Sequence, residues 1–92
     1  MKIEFDPDKE AANLLKHGFS LEVFSWLNFE QGLFFEDARY NYGEKRMQVI
    51  APIIGKRLCV GVFTMRGDTF RVLSLRKANA RERRMYDEKQ SH

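Results

Sequence analysis

Three segments in the second half of the chain, RMQVIAPII, RLCVGVFTM and TFRVLSLR, are rich in β-branched and aromatic residues and separated only by the turn-prone GK and RGD. Strands joined by connections this short cannot cross over to run parallel, so they must pair as an antiparallel meander. Gly55-Lys56 and Gly67-Asp68 suit the tight hairpins that such a meander needs. A fourth apolar segment, LFFE from Leu33, precedes them behind the turn-prone stretch DARYNYGE.

The first thirty residues read differently. Ile3 to Phe5 can make only a short strand. Asp6 and Pro7 then form a helix start, an N-cap acceptor followed by a ring that fixes φ at the first helical position. This helix should run to about His17, where Gly18 supplies a left-handed stop and Lys16 and His17 complement the dipole. Ala11, Leu14 and Leu15 are expected to face the core. Lys9, Asn13 and Lys16 form a polar stripe that is either solvent face or one wall of a site. Ser20 caps a second, shorter helix that buries Leu21, Phe24 and either Trp26 or Leu27, which gives a helical hairpin. At the other end Asn79 and Glu82 have the spacing of a capping box, so a third helix is expected over about Ala80 to Glu88, with only Met85 and Tyr86 as large apolar anchors. The expected class is α+β: a short N-terminal strand and two helices, then the meander and a C-terminal helix.

Ninety-two residues make a single domain spanning 1–92, since a chain of this length cannot bury a second core. The net charge of +3 conceals an asymmetry: residues 1–45 sum to −4 and residues 46–92 to +7. A basic half on a small protein points to a polyanion as partner, with an acidic protein next. Cys59, the only cysteine, lies in the apolar run LCVGVF and reads as a small buried hydrophobe, which suits a reducing compartment. The start MKIEFDPDK has charges where a signal peptide needs an apolar stretch, and no segment reaches the ~20 apolar residues of a membrane span, so a cytoplasmic location is expected.

The stretch LSLRKANARERR runs from the last strand into five cations opposed by one carboxylate. Strict alternation puts Phe70, Val72, Ser74 and Arg76 on one face of that strand and Arg71, Leu73, Leu75 and Lys77 on the other. Arg76 then leaves the sheet beside Ser74, where a planar guanidinium can clamp a phosphate by two hydrogen bonds or pair with Glu82 or Asp87. His17 can serve as general acid or base near neutral pH, or simply cap its helix. Glu44 and Arg46 in GEKR are either a functional carboxylate and cation or a surface pair. Tyr40 and Tyr42 can stack on unpaired bases or stand without a ligand. There is no glycine-rich phosphate loop, no Cys/His ligand cluster and no Ser/His/Asp set with defensible spacing, so neither a metal nor a cofactor is called for.

Four blocks, FDPDK followed by NLLKHG, then GEKR, then VFTMRGDTFRVLSLRKA, then ERRMY, carry a resemblance over almost the whole chain. In this order and spacing the sequence resembles the BrnT family of type II toxins. The resemblance implies a RelE-like fold and a ribonuclease that arrests translation. It also implies neutralisation by a BrnA-type antitoxin, in a heterotetramer whose antitoxin dimer binds operator DNA. Lys16, His17, Glu44, Arg46, Thr64, Arg66, Ser74, Arg76, Lys77, Glu82, Arg83 and Tyr86 occupy motif positions. Phe5 stands where a tryptophan is usual, Leu75 where a small residue is common, and Met65 where an acidic residue often follows the threonine, while LNFEQG lacks the family's Asp-Pro. Met65 makes a carboxylate role at that position untenable.

The implied chemistry is metal-independent RNA cleavage, in which a 2′-hydroxyl attacks the adjacent phosphate and leaves a cyclic phosphate. Arg76, Lys77, His17, Glu44 and Tyr86 are the catalytic candidates it points to, and Lys16, Arg46, Arg66, Arg81, Arg83 and Arg84 the RNA contacts. A non-catalytic RNA-binding module is the chief alternative, and an interaction protein whose basic surface receives an acidic partner is a third. Turnover in EDTA separates the enzyme from the binder, and salt-dependent RNA binding separates both from the third.

Overall fold

The computed structural model describes residues 1–37, 43–53 and 57–90. Five strands form one sheet in the order β1-β5-β4-β3-β2, with β1 (Lys2–Glu4), β2 (Leu33–Glu36), β3 (Met47–Pro52), β4 (Leu58–Arg66) and β5 (Thr69–Lys77). The last three strands form the antiparallel meander expected, and β2 extends it. Only β1 runs parallel to its neighbour, β5, where Arg71 donates to Glu4 at 2.6 Å. The class is α+β. Tyr40, Tyr42 and the Gly55-Lys56 turn lie outside the described residues.

The first helix, α1 (Pro7–His17), starts and stops as its caps dictate: Asp6 accepts from the Asp8 amide at 2.8 Å, and Gly18 closes it at φ 76°. Its buried side is a surprise. Ala11, Leu14 and Leu15 are not in the core; Leu15 is 91% exposed and Asn13 is the buried residue. β1 stops pairing at Arg71, so beyond it β5 would present bare backbone along the sheet edge, and α1 lies there instead. The Asn13 carboxamide accepts from the Leu75 amide at 3.1 Å and donates to the Leu75 and Phe19 carbonyls, each at 2.9 Å. One side chain thus does for Leu75 what a neighbouring strand would do, and a helix docked this way needs a polar inner face.

The expected second helix is instead a pair of 3-10 segments, Leu21–Trp26 and Phe29–Gln31, so the helical hairpin does not form. Ser20 caps the first as expected, accepting from Glu22, while Glu10 of α1 accepts from the Ser20 hydroxyl at 2.7 Å and the Leu21 amide at 2.6 Å. Leu27 is buried and Trp26 is exposed, which resolves that choice. These segments lay Phe24 and Phe29 on one face of the sheet against Phe63 and Phe70, with ring centroids 5.2–5.8 Å apart. Gly61 makes room: a Cβ there would sit 2.7 Å from the Phe24 ring. Cys59 is buried in this core with a free thiol.

On the opposite face α2 (Ala80–Gln90) covers only one end of the sheet, packing Met85 and Tyr86 on Ile50, Leu58, Val60 and Ala78. Among the described residues no helix or strand covers the remainder of that face. No helix among the described residues is long and apolar enough to cross a membrane.

Candidate functional site

The uncovered face has a floor set by strand register. Gln48, Val62 and Ser74 pair in a row across β3, β4 and β5, and Ile50, Val60 and Arg76 form the next row. Strict alternation does not survive along β5. Val62 pairs with Ser74 but Phe63 pairs with Val72, so Leu73 is an extra residue in a β-bulge. Phe70, Val72 and Leu75 therefore all contribute to the aromatic core, while Leu73, Ser74 and Arg76 face the open side. The bulge moves Ser74 and Arg76 off the face that carries Phe70 and Val72 and onto the open one.

The walls come from α1 and from the approach to β3. Lys9, Lys16 and His17 stand on one side, Asp37 and Arg46 on the other, around a cleft of about 300 Å³. The polar stripe of α1 is a wall of this site. His17 is partly buried, and its pKa lies below the ordinary 6.5, first because burial disfavours its charged form and then because Lys16 and Arg76 repel a proton. A neutral imidazole among cations is poised to accept a proton at pH 7.

Arg76 both lines the cleft and is held from behind. Its terminal nitrogens donate to the two Glu82 oxygens at 2.8 and 2.7 Å, and one of them also reaches the Lys77 carbonyl at 3.3 Å. Of the two roles open to Arg76 in the sequence, the Glu82 pair is present, and it leaves the guanidinium on the cleft surface. Glu82 is buried, and its carboxyl is held below the ordinary carboxylate value foremost by the Arg76 hydrogen bond.

Lys16, His17, Arg46 and Arg76 are thus brought together, with Ser74 between them; the other candidates lie elsewhere. Glu44 pairs with Arg66 at 3.3 Å, both exposed, and neither lines the cleft. Lys77 pairs in register with Cys59, a core residue of the other face, so alternation turns it away from Arg76. Tyr86 donates to the Gln31 carbonyl at 2.7 Å, fastening α2 to the second 3-10 segment, and burial raises its pKa. Arg81, Arg83 and Arg84 are exposed along α2, and Thr64 is buried outside the cleft. Two polar cleft residues escaped sequence reasoning. Gln48 carried a signal, a lone amide between Met47 and Val49 in an otherwise apolar strand; Asp37, following LFFE, looked like any strand-end acid. Among the described residues no group of three or more His, Cys, Asp and Glu side chains is placed to hold a metal ion.

Residues 5–82 match the family described as ribonuclease toxin, BrnT, of type II toxin-antitoxin system. The fold resembles the crystal structure of the Brucella abortus ribonuclease toxin BrnT with a TM-score of 0.64 and 28% sequence identity, covering 86% of this chain and 97% of that one. A comparison with curated proteins gives no match. With a family match across most of its length and the same fold in a solved member, this chain belongs to the BrnT family of ribonuclease toxins of type II toxin-antitoxin systems.

Proposed function

We propose that the chain cleaves RNA in the cleft between α1 and β5 without a metal, by attack of a 2′-hydroxyl on the adjacent phosphate, and thereby arrests translation in the cytoplasm. In this transfer the 2′-oxygen bonds to phosphorus, the 5′-oxygen leaves, and a 2′,3′-cyclic phosphate remains on the upstream fragment. His17 takes the proton from the 2′-hydroxyl, and the departing 5′-oxygen takes one up from solvent to leave as a hydroxyl. Arg76 and Lys16, with Arg46 opposite, stabilise the charge that builds on the phosphorane oxygens. Lys9 and Ser74 bind the flanking backbone, and Arg81, Arg83 and Arg84 carry the strand on over α2. The single observation that carries this reading is the convergence of a neutral histidine with Lys16, Arg46 and Arg76 in one cleft between α1 and the sheet.

Membership of the family implies an antitoxin partner. We assign that role to a BrnA-type protein, two copies of which join two toxins and bind operator DNA, and we read the sheet as a RelE-like scaffold. The test of the chemistry is incubation of antitoxin-free protein with a defined RNA in EDTA and mass analysis of the ends. Cyclic phosphate and 5′-hydroxyl ends are expected. Ends bearing 5′-phosphate overturn the mechanism, and retardation without cleavage leaves a non-catalytic RNA-binding module.

A further inference from the structure

One carboxylate ties the cleft to the C-terminal helix. Glu82 Oε1 accepts both the Asn79 amide, at 2.9 Å, and an Arg76 guanidinium nitrogen, at 2.8 Å, while its own amide donates to Asn79 Oδ1 at 2.8 Å. The Asn79 bonds complete a reciprocal capping box at the start of α2. The Arg76 bonds are additional to that box and add nothing to the helix end, whose two amides the box already satisfies. An arginine at the end of a strand ordinarily extends its charged head into water. This one is folded back, with both terminal nitrogens on a carboxylate whose side chain is only 9% exposed and a further bond to the Lys77 carbonyl.

We propose that Glu82 is a positioning residue for RNA cleavage: by gripping the end of the guanidinium it fixes Arg76 on the cleft face. The proposal rests on the reading that Arg76 faces the reacting phosphate. A guanidinium held before substrate arrives needs no reordering in the transition state, which is where pre-organised charge acts most strongly. The depressed Glu82 pKa agrees with this, since the carboxylate stays ionised, and the clamp closed, through the working range of pH.

Two substitutions separate positioning from capping. Glu82→Gln keeps an oxygen for the Asn79 amide, because glutamine serves at this place in a capping box, but loses the charge and the second acceptor that hold Arg76. Asn79→Ala breaks the box and leaves the Arg76 pair intact. In nitrogen-15 NMR the wild-type Arg76 side chain should show slowed rotation of its terminal nitrogens, retained in Asn79→Ala and lost in Glu82→Gln. Glu82→Gln should lower kcat about 10²-fold with little change in KM, the scale of a misplaced catalytic group. Introduced into Arg76→Ala it should cost nothing more. Asn79→Ala should lower Tm and spare kcat. Slowed rotation surviving in Glu82→Gln, full activity of that variant, or an undiminished penalty on the Arg76→Ala background each overturns the proposal. If the wild-type protein cuts no RNA, the ribonuclease chemistry fails, and the NMR comparison still decides whether Glu82 holds Arg76.

Discussion

His17 sits where a proton on its ring would add to the charges of Lys16 and Arg76 in a partly buried wall, and this decides how the protein responds to acid. Its pKa in the fold lies below the 6.5 of an unconstrained ring. The acid limb of the kcat/KM profile should therefore fall below pH 6.5, and His17→Gln should remove it while lowering the rate by about 10²- to 10⁴-fold. An acid limb above 6.5, or one that survives the substitution, excludes His17 as the base. The sign for stability follows. The unfolded chain takes up this proton first, so His17 makes the fold less stable as pH drops through 6.5 and downwards. Glu82 acts in a lower window: its stabilisation is complete above the ordinary 4.5 and is lost as pH falls through its depressed folded value. The two losses are separable by pH. Arg76→Ala should cost about 10²- to 10³-fold in cleavage, as removal of a transition-state donor does. It also strands the Glu82 carboxylate, so Tm should fall by the equivalent of about 1–3 kcal/mol, less than for a fully buried pair because the Arg76 side chain is 31% exposed. The double variant Arg76→Ala/Glu82→Gln should recover most of that Tm and none of the activity. Equal stability of the single and double variants would mean that the stranded carboxylate costs the fold nothing.

Among the elements, those whose boundaries depend on local chemistry could be read from the chain, and those whose inner face depends on a distant neighbour could not. Asp6-Pro7 and Gly18 bracket α1, Asn79 and Glu82 open α2, and the turn at Gly67-Asp68 joins β4 to β5, all within a few residues of their cause. The face of α1 was misread because Ala11, Leu14 and Leu15 have the spacing of a core stripe, whereas the packing partner is a strand edge 62 residues away that asks for an amide. The bulge at Leu73 was invisible for a similar reason, since an extra residue changes no composition and shows only in the pairing with Val62 and Phe63. It is also what gathers Ser74 and Arg76 on the open face. Asn13→Ala should therefore be the costliest substitution on α1. It orphans the buried N–H and C=O of Leu75, each worth about 1–3 kcal/mol, and frees the helix that carries Lys9, Lys16 and His17. Leu15→Ala, at a position 91% exposed, should leave Tm within about 0.5 kcal/mol of wild type. Chemical denaturation of the two variants checks the ranking, and a larger loss for Leu15→Ala would refute the docking of α1 through its amide.

At the scale of the whole molecule, the acidic and basic halves of the sequence do not become acidic and basic halves of the fold. Lys9 and Lys16 come from the half that sums to −4, yet they face Arg46 and Arg76, from the half that sums to +7, across one cleft. The charge that matters for a polyanion is therefore local, and the net +3 understates it. α2 carries Arg81, Arg83 and Arg84 away from the same strand end, so two lengths of RNA contact are conceivable: the cleft alone, or the cleft and α2 together. Salt dependence distinguishes them, because each phosphate neutralised on a single strand adds about −0.7 to the slope of log K against log salt. Four cleft cations, each meeting one phosphate, give a slope of about −3, and the three arginines of α2 extend it to about −5. We expect the steeper value for an RNA longer than the cleft. Replacing Arg81, Arg83 and Arg84 together by glutamine should return the slope to about −3 and leave kcat nearly unchanged, since none of the three lines the cleft. Replacing Lys9 and Lys16 should remove about 1.4 from the slope and, on the proposed mechanism, lower kcat as well, because Lys16 lines the cleft beside His17. A triple variant with an unaltered slope would confine RNA to the cleft. One with a normal slope but a collapsed kcat would instead place the chemistry on α2, and the assignment of the site to the uncovered sheet face would be wrong.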